Sequence, residues 1–204
     1  MYFPKLTRRV EAQYHIPGEN TFYADYTKNR DMVSEDCQYR CVYCDITLEE
    51  NGGEGMQLDH FRPQNHFSLL KTHPHNLYLS CAKCNRLKTN DWPCGKNIGD
   101  PPFVGAIGYI DRFFHDPHEY LFVRDDGCIV QKQGPINYMV TKLLLNRLSR
   151  TQIRRKRDIA ERKKILSARV TKLMEQLLEN IDSNPDVRQR LKEIILLQKS
   201  LNEL

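Results

Sequence analysis

Three stretches decide the fold: residues 41–44, CVYC; residues 56–63, MQLDHFRP; and residues 76–88, NLYLSCAKCNRLK. The first and third each hold a C-x-x-C pair, Cys41/Cys44 and Cys81/Cys84, separated by 36 residues. A C-x-x-C turn presents two thiolates to one ion, and two such turns complete a tetrahedron. Zn²⁺ accepts that geometry because its filled d shell imposes no other. The pattern predicts a structural zinc site at Cys41, Cys44, Cys81 and Cys84. The competing reading is four buried thiols or redox cysteines. Of the seven cysteines, Cys37, Cys94 and Cys128 are left over; Cys37 could displace Cys41 as a ligand, at a poorer spacing from Cys44. An odd cysteine count and a reducing compartment both argue against a disulfide framework.

Between the cysteine pairs, Met56-Gln57-Leu58 leading to Asp59 reads as a strand, and Asn51-Gly52-Gly53 suits the turn before it. Pro63 predicts its end, because proline cannot donate to a ladder. Residues 64–75 are polar and histidine-rich, with His66, His73 and His75 read as loop residues rather than ligands. Asn76-Leu77-Tyr78-Leu79 reads as a second strand and residues 81–88 as a helix stopped by Asp91-Trp92-Pro93. The order is strand, loop, strand, helix. Asp59 and Asn85 offer hard oxygen donors, which suit Mg²⁺ or Mn²⁺ better than zinc. His60 adjoins Asp59, and strand neighbours point to opposite faces. The strand must therefore end or twist there if both are to serve one site.

These residues resemble the HNH endonuclease family in its four-cysteine form, over roughly residues 38–92, with Asn85 where other members carry histidine. The resemblance implies a ββα-metal finger supported by a zinc knuckle, and hydrolysis of phosphodiesters to 5′-phosphate and 3′-hydroxyl ends. It implies His60 as general base, Asp59 and Asn85 as ligands of the catalytic divalent ion, and Asn76 as the residue bracing the loop and orienting the base. Cofactors on this reading are Mg²⁺ or Mn²⁺ for catalysis and Zn²⁺ for structure. The alternative is a zinc-stabilised nucleic-acid-binding or adaptor protein without turnover.

The rest of the chain bears on substrate and partners. Of 204 residues, 40% are hydrophobic and 28% charged, which fits a globular rather than a disordered protein. The net charge of +5, from 31 basic and 26 acidic residues, proves no polyanion partner by itself. Its distribution says more: between Lys142 and Lys172 there are twelve Lys or Arg and two acids. A helix bearing Arg150, Arg154, Arg155 and Arg157 would suit contacts to a phosphate backbone, which give affinity without sequence readout. Arg62, Arg86 and Lys88 are further candidates for phosphate contact. DNA is the favoured substrate, with RNA open. No apolar run is long enough to span a membrane, and the N-terminus lacks the apolar block of a signal peptide, so a cytoplasmic protein without membrane contact is expected.

The expected fold class is α+β: a ββα-metal core with a four-cysteine knuckle, then a mainly helical C-terminal region. The expected layout is an N-terminal extension at 1–36, the nuclease core at 37–100, short strands with an Asp126-Gly127 hairpin at 101–136, and helices at 137–204. A short helix is expected around Leu6–Gln13 and loop over 16–31. In the tail, Leu166, Val170, Leu173, Leu177 and Ile181 form one helical face. Asn184-Pro185 reads as a helix start, followed by apolar Val187, Leu191, Ile194, Ile195 and Leu201. The basic segment after the four-cysteine motif also resembles the HNH component of Septu-type anti-phage systems. That likeness implies a partner ATPase; the C-terminal helices either pack on each other and the core or expose an apolar stripe to such a partner.

Overall fold

A computed structural model describes residues 2–179 and 187–202. The predicted helix start at Asn184-Pro185 and the position of Ile181 lie outside the described residues. The protein divides into two compact units, Met1–Ile153 and Arg154–Leu204.

In the first unit, α1 (Arg30–Asp36) follows 3-10 turns at Glu11–Tyr14 and Tyr26–Asn29. The helix expected around Leu6–Gln13 is reduced to the first of these turns. Leu6 is buried instead, with its N–H donating to Arg112 O at 2.9 Å, a bond that extended chain can make. The expected loop at 16–31 likewise gives way to the turn at Tyr26–Asn29 and the start of α1. That helix buries Val33.

β1 (Met56–His60) and β2 (Leu77–Cys81) form an antiparallel pair, in register from Met56↔Cys81 to His60↔Leu77. All five β2 residues are buried, as a short apolar strand covered on both faces must be. α2 (Ala82–Lys88) begins directly where β2 ends. This is the strand, loop, strand, helix order expected from the sequence.

Two small hairpins follow: β3 (Phe103–Val104) with β4 (Ile107–Gly108), and, after the one-turn helix α3 (Pro117–Tyr120), β5 (Leu121–Val123) with β6 (Ile129–Gln131). The turn between β5 and β6 needs glycine at 127. Its φ is +81°, and a Cβ there would lie 2.1 Å from Thr151 O. α4 (Ile136–Lys142) and the start of α5 (Leu148–Glu179) complete this unit.

One core cluster joins Leu6, Val33, Leu77, Tyr109 and Ile129 with all four knuckle cysteines. The expected N-terminal extension and hairpin region thus share a core with the ββα element. In the second unit, Val170 and Leu177 of α5 and Ile194 of α6 (Val187–Asn202) form a separate apolar cluster, joined by Leu173, Val187 and Leu197. The expected α5 face is present at Val170, Leu173 and Leu177, whereas in α6 Val187 and Ile194 join the cluster and Leu191 and Ile195 are exposed. No helix among the described residues is long and apolar enough to cross a membrane.

Candidate active site

The cysteines are placed by two tight turns. Cys41 N–H donates to Ile46 O and Asp45 N–H to Cys41 O, both at 2.9 Å, so the first C-x-x-C folds back on itself. Asp45 closes the turn at φ +63°, a conformation that Asp tolerates better than most residues. Its buried carboxylate is paired with Arg112 at 3.2 Å and Arg40 at 3.4 Å. Val42 N–H donates to Leu79 O at 3.0 Å and stitches this turn to β2. The second C-x-x-C spans the junction of β2 and α2.

The result is a cluster of Cys41, Cys44, Cys81 and Cys84, all buried, with their sulfurs within 4.8 Å of one another. The Cys44–Cys81 Sγ separation is 3.8 Å. A tetrahedron with Zn–S bonds of about 2.3 Å has edges of about 3.8 Å, so the cluster is compatible with zinc. Cys37 does not join it. Its sulfur accepts from Leu79 N–H at 3.3 Å, and burial pushes its thiol up to about 11.

Beside β1 and α2 lies an open cleft of about 240 Å³, lined by Tyr26, Asp59, His60, Gln64, Asn85 and Asn90 among others. β1 ends at His60, which is why adjacent residues Asp59 and His60 both reach this cleft. The loop that follows is tied by Asn76. Arg62 N–H donates to Asn76 Oδ1 at 2.8 Å, and Asn76 Nδ2 donates to Arg62 O at 3.0 Å and Leu70 O at 3.2 Å.

His60 Nε2 lies 2.8 Å from Lys71 O. A carbonyl only accepts, so Nε2 carries the proton and the neutral ring keeps an open lone pair on Nδ1. Tyr26 packs edge-on against the imidazole at 4.8 Å. Burial pushes the His60 pKa down, which favours the neutral, proton-accepting ring.

Asp59 is buried and held through one oxygen. Tyr43 Oη donates to its Oδ2, and Lys88 Nζ lies 3.3 Å from the same atom. Among the described residues Oδ1 has no hydrogen-bond partner. Burial pushes the Asp59 carboxyl up and the Lys88 ammonium down, and each charge opposes the other's shift. Asn85 Nδ2 donates to Gln57 Oε1 at 2.8 Å, so its Oδ1 also remains available. Two uncommitted oxygens, one from a carboxylate and one from an amide, fit a hard divalent ion.

Two supporting residues were not read as such from the sequence. Tyr43 sits inside the first C-x-x-C, where nothing marks it. Lys88 was expected to face phosphate; instead it is fully buried, donating to His60 O at 2.8 Å and pairing with Asp59. Its spacing of three from Asn85, which puts both on one helix face, was the available signal.

The other phosphate candidates divide. Arg86 and Arg155 are exposed and Arg157 is half-buried, whereas Arg154 is buried, against expectation for a backbone-tracking face. Arg62 is half-buried; it lies over Trp92 at 5.0 Å and Phe67 at 5.2 Å and donates to Asp100 O at 2.6 Å. It lines a different cleft, of about 490 Å³, with His73, Asp100 and Asp111 among its other walls. Arg150 does not face solvent freely either: its Nη2 lies 3.6 Å from Cys81 Sγ and 3.4 Å from Asn51 Oδ1.

Comparison with curated proteins and with solved structures found no match. The family model described as HNH endonuclease matches residues 41–91, from the first knuckle cysteine to just past α2, and it identifies this segment as an HNH endonuclease segment.

Proposed function

We propose that the protein is a metal-dependent endonuclease that hydrolyses phosphodiester bonds of nucleic acid, DNA being favoured. Mg²⁺ or Mn²⁺ would be held by Asp59 and Asn85, and Zn²⁺ by the four cysteines. The observation that carries this reading is the His60 ring. Its Nε2–H is fixed on Lys71 O, and it shares a cleft with Asp59 and Asn85.

His60 Nδ1 takes the proton of the attacking water. The Nε2–H···O=C bond to Lys71 fixes the tautomer and stabilises the imidazolium that forms. Asn76 clamps Arg62 at the start of the loop and Leu70 beside Lys71, and so holds the carbonyl that aims the ring. Tyr43 and Lys88 keep the Asp59 carboxylate in one orientation, and Lys88 also fixes the backbone of His60. A bound divalent ion supplies Lewis-acid stabilisation of charge on the phosphate and the leaving oxygen.

The test is plasmid nicking with Mg²⁺ or Mn²⁺ and with EDTA. EDTA should abolish cleavage. His60→Ala should lower the rate by about 10²–10⁴-fold, with melting temperature and zinc content kept. If that variant cuts as fast as the parent, the base is misassigned. If the parent does not cut at all under these conditions but binds nucleic acid, the chain is a zinc-stabilised binding module.

A narrower reading places the nuclease in anti-phage defence beside a partner ATPase. The exposed Leu191, Ile195 and Leu196 of α6 support a docking face. An ATPase encoded next to this gene should co-purify with the full chain and not with one ending at Ser183; equal recovery with both would end this reading.

A further inference from the structure

We infer that Arg147 and Arg150 form the cationic surround of the cysteine cluster: they neutralise the bound zinc tetrathiolate and retard loss of the metal. This inference concerns the knuckle alone and stands whether or not the cleft is a nuclease site.

Arg147 bridges two structures with one guanidinium. Its Nη1 donates to Leu143 O at 3.2 Å and Leu144 O at 3.1 Å, at the end of α4. Its Nη2 reaches Cys81 Sγ at 3.8 Å and Cys84 Sγ at 3.9 Å. Arg150 Nη2 reaches Cys81 Sγ at 3.6 Å and Asn51 Oδ1 at 3.4 Å. Asn51 in turn donates to Glu54 O at 2.6 Å, so Arg150 also ties the turn that precedes β1.

Charge explains why cations belong there. Zn²⁺ bound by four thiolates carries a net charge of −2, and all four sulfurs are in buried residues. Burying an uncompensated charge is expensive. Two guanidinium groups bring the local sum to zero. Binding the metal requires the sulfurs as thiolates, and the guanidinium groups of Arg147 and Arg150 already lie against two of them. The arginines therefore favour the metal-loaded form over the empty one, which raises affinity by linkage. Arginine suits the position better than lysine, because its planar fork lets one nitrogen take carbonyls while another faces sulfur.

The backbone supports the same reading. Leu144 turns the chain out of α4 at φ +49°, where glycine is usual. A non-glycine residue keeps such a conformation only when its surroundings determine it. The turn is what brings Arg147 and Arg150 back onto the sulfurs.

The experiment uses the full zinc-loaded chain and follows zinc transfer to an excess of a chelating dye. The double variant Arg147→Gln/Arg150→Gln should release zinc at least tenfold faster than the parent. The Lys/Lys variant should fall between, because it keeps charge but not the fork. Arg155→Gln/Lys156→Gln removes the same charge from exposed positions of α5 and should leave release unchanged. Should the Gln/Gln protein not fold, the single variants Arg147→Gln and Arg150→Gln carry the same test, each expected to speed release severalfold. Unchanged release in folded variants overturns the inference. So does equal acceleration by the exposed pair, which would make the effect one of net charge. A third contrary result is weaker duplex binding with a shallower salt dependence in Arg150→Gln at unchanged zinc release, which would make Arg150 a phosphate contact.

Discussion

The four-cysteine cluster and the candidate cleft are both built on the two-stranded β1–β2 pair, and they follow opposite principles. The cluster is closed: its four cysteines are buried, and the guanidinium groups of Arg147 and Arg150 approach their sulfurs. The cleft is open: it offers two oxygens, from Asp59 and Asn85, beside one imidazole. A metal held by all four sulfurs would have no position left for a substrate, so it would hold structure. An incomplete set leaves coordination positions for water and phosphate. The contrast within one small element is of donor type and exposure: buried sulfurs on one side, oxygens in an open cleft on the other.

The strongest way to break that division is at the closed site. Cys81→Ser removes a ligand from β2 and a sulfur that both Arg147 and Arg150 approach. Zinc content should fall, and the melting temperature should drop by about 10 °C or more, because structural zinc contributes folding free energy directly. The measurement is metal analysis together with thermal unfolding. Full zinc content with an unchanged melting temperature would mean that the cluster does not hold the fold. His60→Ala should show the opposite pattern, losing turnover and keeping stability.

Much of this layout was legible in the sequence, and the failures have a common cause. The C-x-x-C pairs, β1, β2 and α2 follow from local spacing and periodicity, and the structure contains them in that order. Asp59, His60 and Asn85 meet because β1 stops at His60 and α2 starts directly after β2, both of which were local signals. What misled was charge. The sequence marks Lys88, Arg150 and Arg154 as candidate phosphate contacts, whereas Lys88 and Arg154 are buried and Arg150 is half-buried. Lys88 is buried by its pairing with Asp59, a residue 29 positions away, and Arg150 lies against the sulfur of Cys81, 69 positions away. A single sequence shows a charge without showing its partner. The helix expected at Leu6–Gln13 failed for the same reason, since the N–H of Leu6 finds its acceptor at Arg112.

Tyr43 is where the two regions meet, and it gives the finest test of their separation. It lies between the ligands Cys41 and Cys44, while its hydroxyl donates to Asp59 Oδ2 in the cleft. The first cysteine turn thus reaches the cleft: its Tyr43 hydroxyl orients the Asp59 carboxylate that we propose as a ligand of the divalent ion. Tyr43→Phe removes only the oxygen and leaves the ring among its buried neighbours, so the cysteines should keep their zinc. A hydrogen bond to a charged acceptor contributes about 1.5–3 kcal/mol. Its loss leaves Asp59 with Lys88 as its remaining side-chain partner. The carboxylate then samples more orientations, and nicking should slow by about tenfold, equivalent to about 1.4 kcal/mol of barrier, with zinc release at the parental rate. An unchanged nicking rate would mean that Lys88 alone fixes Asp59, and that the zinc turn serves stability without reaching the chemistry.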